Sequence, residues 1–463
     1  MGILKSLSRE QKEAVGLLQV GTFLEYFDLM LYVHMAVLLN ELFFPKTDPH
    51  TASLIAAFAF CSTFVLRPFG ALLFGYIGDR IGRKTTVILT TMMMSVSCVI
   101  MANLPTYAQV GISAAWIVTI CRIVQGLSSM GEIMGAQVYL TEITKPPVQY
   151  PAVSFISVSA SLGAVAALGI ASLVTTIGFN WRIAFWIGAG VAVVGSIART
   201  RLREAPEFLE KLNTLKNKKK AIIEAKKSNN EPALSGEAAL VSEKITVENN
   251  DNIEKIGKKT ALSFLLIFCG WPLGFYLTYM YFNPALKQSF GYSAEDIIFH
   301  NLILALIHFA RSLFMCIISY RFHPLKILNY TGKLFLILII FMPFLLNSAT
   351  HYYHIFVIQT AIVLFSIGSM PGNAIFVKHF PVLKRVTATS VLSSMTRAVV
   401  YILTSFGLVY LTEFFGYYGL WVITLPVTLS YLWAINHYAA LEGMQLTKIS
   451  SLFARKDKDM HLM

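Results

Sequence analysis

Two carboxylates stand three residues apart in an otherwise apolar stretch, GTFLEYFDLMLY, at residues 21–32. On a helix, Glu25 and Asp28 share one face, and Tyr32 lies one turn further along it. An ionised Asp at the centre of a membrane helix costs about 2.5–3.5 kcal/mol, and two neighbouring carboxylates cannot both ionise cheaply. A pair in that setting suits the uptake and release of a proton. The alternative is a structural cap, or a standing ion pair with Arg67 or Arg122. Arg122 and Glu132 are ten residues apart, close to three turns, and face nearly the same way. Arg311 and Arg397 sit in later apolar runs that hold no acidic residue, and a guanidinium offers a carboxylate two parallel hydrogen bonds. His300 and His308 read as hydrogen-bonded packing residues. Trp271, Tyr276 and Tyr279 fit either an aromatic wall for a quaternary ammonium or a set of interfacial anchors.

The elements that must hold these residues are membrane helices. Of 463 residues, 56% are hydrophobic and 14% charged, against about 25% charged in an ordinary soluble chain. Apolar runs recur at about 14–44, 51–77, 86–103, 107–140, 151–177, 183–198, 260–282, 297–320, 334–347, 352–377, 386–411 and 416–435. Twelve spans follow, most reaching the roughly 20 residues that cross a bilayer. The run at 334–347 is short unless Lys333 and its neighbours snorkel. An all-α polytopic membrane protein with two six-helix bundles is therefore predicted. The bundles are expected at 1–200 and 260–440, with a central loop at 201–259 and a tail at 441–463.

Placing the N-terminus in the cytoplasm puts 31 of the 38 Lys and Arg on the cytoplasmic side, three outside and four within spans. That bias predicts both termini inside. The net charge of +13 is then a topological signature, supplemented by attraction to anionic lipid, and calls for no nucleic acid. The central block, with KNKKKAIIEAKKSNN, reads as a solvated linker, partly helical near 203–227. All five cysteines fall in apolar runs and read as packing residues, with no metal-ligand spacing. The N-terminus shows no cleavable signal pattern. GxxxxGK[ST] is absent, and no catalytic constellation appears, so an enzyme is not expected. Energy would have to come from an ion gradient or from the substrate's own gradient; a small organic solute and protons are the expected partners, with no cofactor.

GYIGDRIGRKT at 75–85 is the strongest local pattern. Gly75, Gly78 and Gly82 allow close helix approach and a tight turn. Asp79 can cap the following helix, while Arg80, Arg83 and Lys84 need water or carboxylates. Glu142, at the end of the fourth run, is the expected partner of Arg80 or Arg83 in a cytoplasmic gate.

This stretch resembles the loop motif of the major facilitator superfamily. GTFLEYFDLMLY, RPFGALLFGYIGDRIGRK, CRIVQGLSSMGEIMGAQVYLTE, WRIAF, REAPEF, FYLTYMYFNPAL and HFPVLKR narrow the resemblance to its metabolite:proton symporter family, which includes proline/betaine and 2-oxoglutarate permeases. Three stretches depart from the pattern: Met130-Gly131-Glu132, YRFHPLK at 320–326 and Phe406-Gly407-Leu408. The short basic tail has no heptads, so osmosensing is not expected. The resemblance implies a bacterial inner-membrane transporter working by alternating access around a midplane site. Glu25, Asp28, Tyr32, Arg122, Glu132, Arg311 and Arg397 would line its path. The solute would be a proline- or betaine-like zwitterion, with a dicarboxylate or 2-oxo acid as the alternative. A non-transporting membrane sensor that keeps the fold is the rival from another class.

Overall fold

The computed structural model describes residues 8–44, 64–80, 83–128, 130–177, 180–199 and 256–446. The central loop and most of the tail lie outside these residues, as does Gly82. Every described segment is helix or a short connection. In the first half the main helices are α1 (Arg9–Phe43), α2 (Arg67–Arg80), α3 (Arg83–Asn103), α4 (Ile112–Ser128), α5 (Met130–Ile143), α6 (Gln149–Ile177) and α7 (Arg182–Arg199). Ser8 and Gln11 cap α1 reciprocally, each side chain bonding the other's backbone, which starts the helix ahead of its apolar face.

In the second half, one span is built from α8 (Lys258–Phe268), α9 (Gly270–Tyr276), a π-helical turn at Leu277–Tyr281 and α10 (Asn283–Phe290). Then follow α11 (Ala294–Ile318), α12 (Pro324–Asn347), α13 (Tyr352–Phe365), α14 (Asn373–Lys378), α15 (Arg385–Ile402), α16 (Leu408–Phe415) and α17 (Leu420–Leu441). Among the described residues, eight helices are long and apolar enough to cross a membrane. The chain is a multi-pass membrane protein.

The short ninth run is corrected by its cap. His323 caps α12 and Pro324 opens it, so the helix spans 24 residues, and Lys326 and Lys333 ride on its first turns. The tenth run is not one helix. α13 stops at Phe365 and α14 begins at Asn373, because SIGSMPGN sets two serines, two glycines and a proline in the middle of the span.

Each half packs on itself: α1 against α6 and α7, α3 against α4 and α7, and α12 and α8 against α17. The halves meet along α6 with α11 and α2 with α15. α6 carries SVSASLGAVAALG on residues 157–169, and these small side chains let it lie close to both α1 and α11.

Candidate functional site

A cavity of about 140 Å³ lies between the halves. The first half lines it with Tyr26 and Met30 of α1, Gln137 of α5, and Ser157 and Ser161 of α6. The second half supplies Trp271, Phe275 and Tyr279 from its first span, His308 and Arg311 from α11, and Arg397 from α15. The interrupted segment 366–370 forms another part of the wall. Among the described residues no carboxylate lines it, so the surroundings are cationic and aromatic.

The interruption leaves backbone carbonyls without helical partners, and side chains take them up. The Arg311 guanidinium donates to the carbonyl oxygens of Leu364 at 2.9 Å and Ser366 at 2.6 Å. The Tyr431 hydroxyl donates to the Gly368 carbonyl at 2.9 Å. Gly270 lets the first span of this half approach the break: a Cβ there would lie 2.8 Å from the Ile367 carbonyl carbon and oxygen. Similarly, the Gln359 amide donates to the Thr278 carbonyl inside the π-helical turn at 2.6 Å, and His300 pairs with the Gln359 carbonyl oxygen at 2.8 Å. The packing role predicted for His300 is the one observed. His308, by contrast, faces the cavity.

Arg397 is placed differently from Arg311. It is 8% exposed, and its guanidinium lies 5.0 Å from the Trp271 ring centroid. It makes no hydrogen bond or ion pair among the described residues. Arg67, from the other half, interacts electrostatically with both Arg397 and Glu25, and stacks on Phe64 at 4.2 Å. Phe64 in turn meets Tyr401 of α15 across the halves, at 4.2 Å between ring centroids.

Beyond one end of the cavity the halves are joined by direct contacts. They lie on the face that carries the connections at 144–148, 319–323 and 379–384, called here the basic face. Arg385 donates to the Glu142 carboxylate at 3.0 Å, joining α15 to α5. The Ser154 hydroxyl donates to the Pro371 carbonyl, and the Cys316 thiol to the Pro151 carbonyl, each at 3.4 Å. Tyr150 meets His323 edge-on, ring centroids 5.6 Å apart. Burial holds the His323 imidazole below its ordinary range, with Lys326 and Lys378 acting the same way and Glu442 opposing. Its Nδ1 accepts from the Leu325 amide at 3.4 Å. Gly75 faces the same seam: a Cβ there would stand 3.2 Å from the Thr387 Cα.

The residues singled out in sequence are thus distributed over three places. Arg311 and Arg397 line the cavity. Glu25 is buried beside it in α1, within electrostatic reach of Arg67. Arg122 is buried inside the first half and donates to Gln125 at 3.2 Å, with Gln125 leaning on Cys98 and Met101 of α3; it is not among the lining residues. Gly75 and Glu142 stand at the basic face. Glu142 meets Arg385 of the second half, a partner not anticipated. The side chains of Asp28, Tyr32, Gly78, Asp79, Arg80, Arg83 and Glu132 lie outside what the structure describes. Of the aromatic candidates, Trp271 and Tyr279 reach the cavity, whereas the Tyr276 hydroxyl turns to the Ser405 carbonyl at 3.5 Å. Two features escaped the sequence reading: the helix break, signalled by SIGSMPGN, and Arg385, visible only as one charge in HFPVLKR.

Comparison with known proteins places this architecture. The chain is 30% identical over 211 residues to a proline/betaine transporter of Salmonella typhimurium, covering 44% of this chain and 42% of the relative. It is 34% identical over 197 residues to an inner membrane metabolite transport protein of Escherichia coli, covering 41% and 45%. The chain spans about half the length of the curated relatives it matches. In fold it is similar to the proton:xylose symporter XylE, with a TM-score of 0.69 at 16% identity over 96% of this chain and 98% of that one. It also resembles a human organic anion transporter, with a TM-score of 0.62 at 15% identity over 93% and 100%. The profile described as Major Facilitator Superfamily matches residues 18–404, and the chain belongs to that superfamily.

Proposed function

We propose that the chain is a secondary active transporter that moves a small carboxylate-bearing solute together with protons. The observation that carries this reading is the cationic cavity between the two halves, with contacts at the basic face that cross from one half to the other. The positive-inside bias supports reading the basic face as the cytoplasmic one. The structure then corresponds to a state closed to the cytoplasm, and alternating access requires those contacts to break as the bundles rock about the cavity. The relatives that are proline/betaine transporters support a zwitterionic solute. The Glu25–Asp28 pair carries the proton in this scheme, with Asp28 the titrating member, and Arg80, Arg83 and Asp79 serve the gate around Gly75.

The test is uptake into proteoliposomes under an imposed pH gradient, using radiolabelled proline, glycine betaine and 2-oxoglutarate. Saturable accumulation that collapses when a protonophore dissipates the gradient is expected. Asp28→Asn should abolish gradient-driven accumulation while solute binding stays measurable. Folded protein that accumulates none of the three overturns the transporter reading, and accumulation indifferent to the gradient overturns proton coupling.

A further inference from the structure

Two arginines line the cavity, and on charge alone they would suit a dicarboxylate, one carboxylate on each. Their hydrogen bonds separate them. Arg311 spends its Nε and one terminal nitrogen on the carbonyls of Leu364 and Ser366, at the frayed end of α13. Those carbonyls lost their helical donors at the break, so withdrawing Arg311 toward a solute would take from both acceptors the donor they now have. Arg397 has no such commitment. Among the described residues its partner is the face of Trp271, which leaves the guanidinium donors unused.

Resting on the transporter reading above, we propose that the cavity recognises a solute with a single carboxylate. Arg397, oriented by Trp271, is the residue that holds it, and Arg311 is a positioning residue that keeps the interrupted helix at 366–372 in place. The rest of the solute faces Tyr279, Phe275 and Tyr26, aromatic surfaces that accept an apolar or cationic body and offer nothing basic to a second carboxylate. A second carboxylate would find only the donors of Arg311 that the two carbonyls leave over and the ring of His308, a poorer hold than the uncommitted fork of Arg397.

The test is equilibrium binding to the purified full-length chain in detergent. Radiolabelled proline and glycine betaine are the probes, with prolinamide, succinate and 2-oxoglutarate as competitors. Proline and glycine betaine should bind, prolinamide should fail to compete, and the two dicarboxylates should compete at least about tenfold more weakly than unlabelled proline. Arg397→Gln should weaken binding by about tenfold to a hundredfold, the weight of a charge-assisted hydrogen bond, and Arg397→Lys should recover part of it. Arg311→Gln should lower the thermal midpoint of the protein. In the fraction that stays folded, the preference for proline over prolinamide should be unchanged. Dicarboxylates binding as tightly as proline, or Arg311→Gln erasing the acid-over-amide preference while Arg397→Gln spares it, overturns the proposal and leaves the transporter reading standing. A wild-type chain that binds neither class overturns both.

Discussion

Glu142 and Arg385 are 243 residues apart in sequence, come from different halves, and meet at 3.0 Å with side chains 1% and 10% exposed. Arg385 also donates to the Phe380 carbonyl at 3.0 Å, so the same guanidinium folds its own connection and latches the partner half. Removing one member of a buried pair costs roughly 3–5 kcal/mol because the other charge stays behind. Glu142→Gln is therefore expected to shift the population toward separation at the basic face. Spin labels placed on either side of the seam would report longer distances, and the exchange Glu142→Arg with Arg385→Glu should restore part of the short population. An unchanged distance distribution in Glu142→Gln would remove the latch from the mechanism. Glu142 was recognisable from its place at the end of an apolar run. Its partner was not, because helix periodicity carries no information about which distant turn a side chain reaches.

At the scale of elements, the seam between α2 and α15 depends on what is missing from position 75. Gly75 lets the helix approach Thr387 so closely that an added Cβ would stand 3.2 Å from its Cα. An alanine needs only a few tenths of an ångström of adjustment. A valine would have to push the helices apart, and overpacking of this kind costs about 1–3 kcal/mol. Gly75→Val should reduce transport severalfold and lengthen the same spin-label distance, with Gly75→Ala much closer to wild type. Equal behaviour of the two variants would show that the seam does not depend on close approach. The glycine spacing of this motif was legible as a packing device, but whether it served contact within a half or between halves was not.

At the scale of the whole molecule, the end of α17 is tied back to α14. Glu442 accepts from Lys378 at 2.9 Å and pairs with His379 at 2.8 Å, joining the last span to the interrupted one. Burial raises its carboxyl, but the hydrogen bonds and charges of Lys378 and His379 outweigh burial and hold it below its ordinary value of 4.5. A carboxyl depressed in the folded state stabilises the fold above its unfolded value, and that stabilisation is lost as pH falls through the lower folded value. The thermal midpoint in detergent should thus decline as pH drops below about 4.5, and Glu442→Gln should start lower and show a shallower decline. A variant with an unaltered acid profile would assign the loss to other carboxylates.

The amino-acid sequence by itself determined the membrane character, the helical class, the division into two halves' worth of apolar runs and the expected sidedness. These follow from composition, run length and the distribution of 38 positive charges, which are local quantities. It also marked Arg311 and Arg397 as expensive charges needing a reason. Tertiary structure alone decided what the reasons were. Arg311 and Arg397 have the same chemistry and similar apolar neighbours in sequence, yet one faces the orphaned carbonyls of a broken helix and the other an aromatic ring and an open cavity. The free energy of a buried charge depends on which donors and acceptors packing brings within about 3 Å of it. Those partners lie 53 and 55 residues away for Arg311, at a distance along the chain that no local pattern encodes.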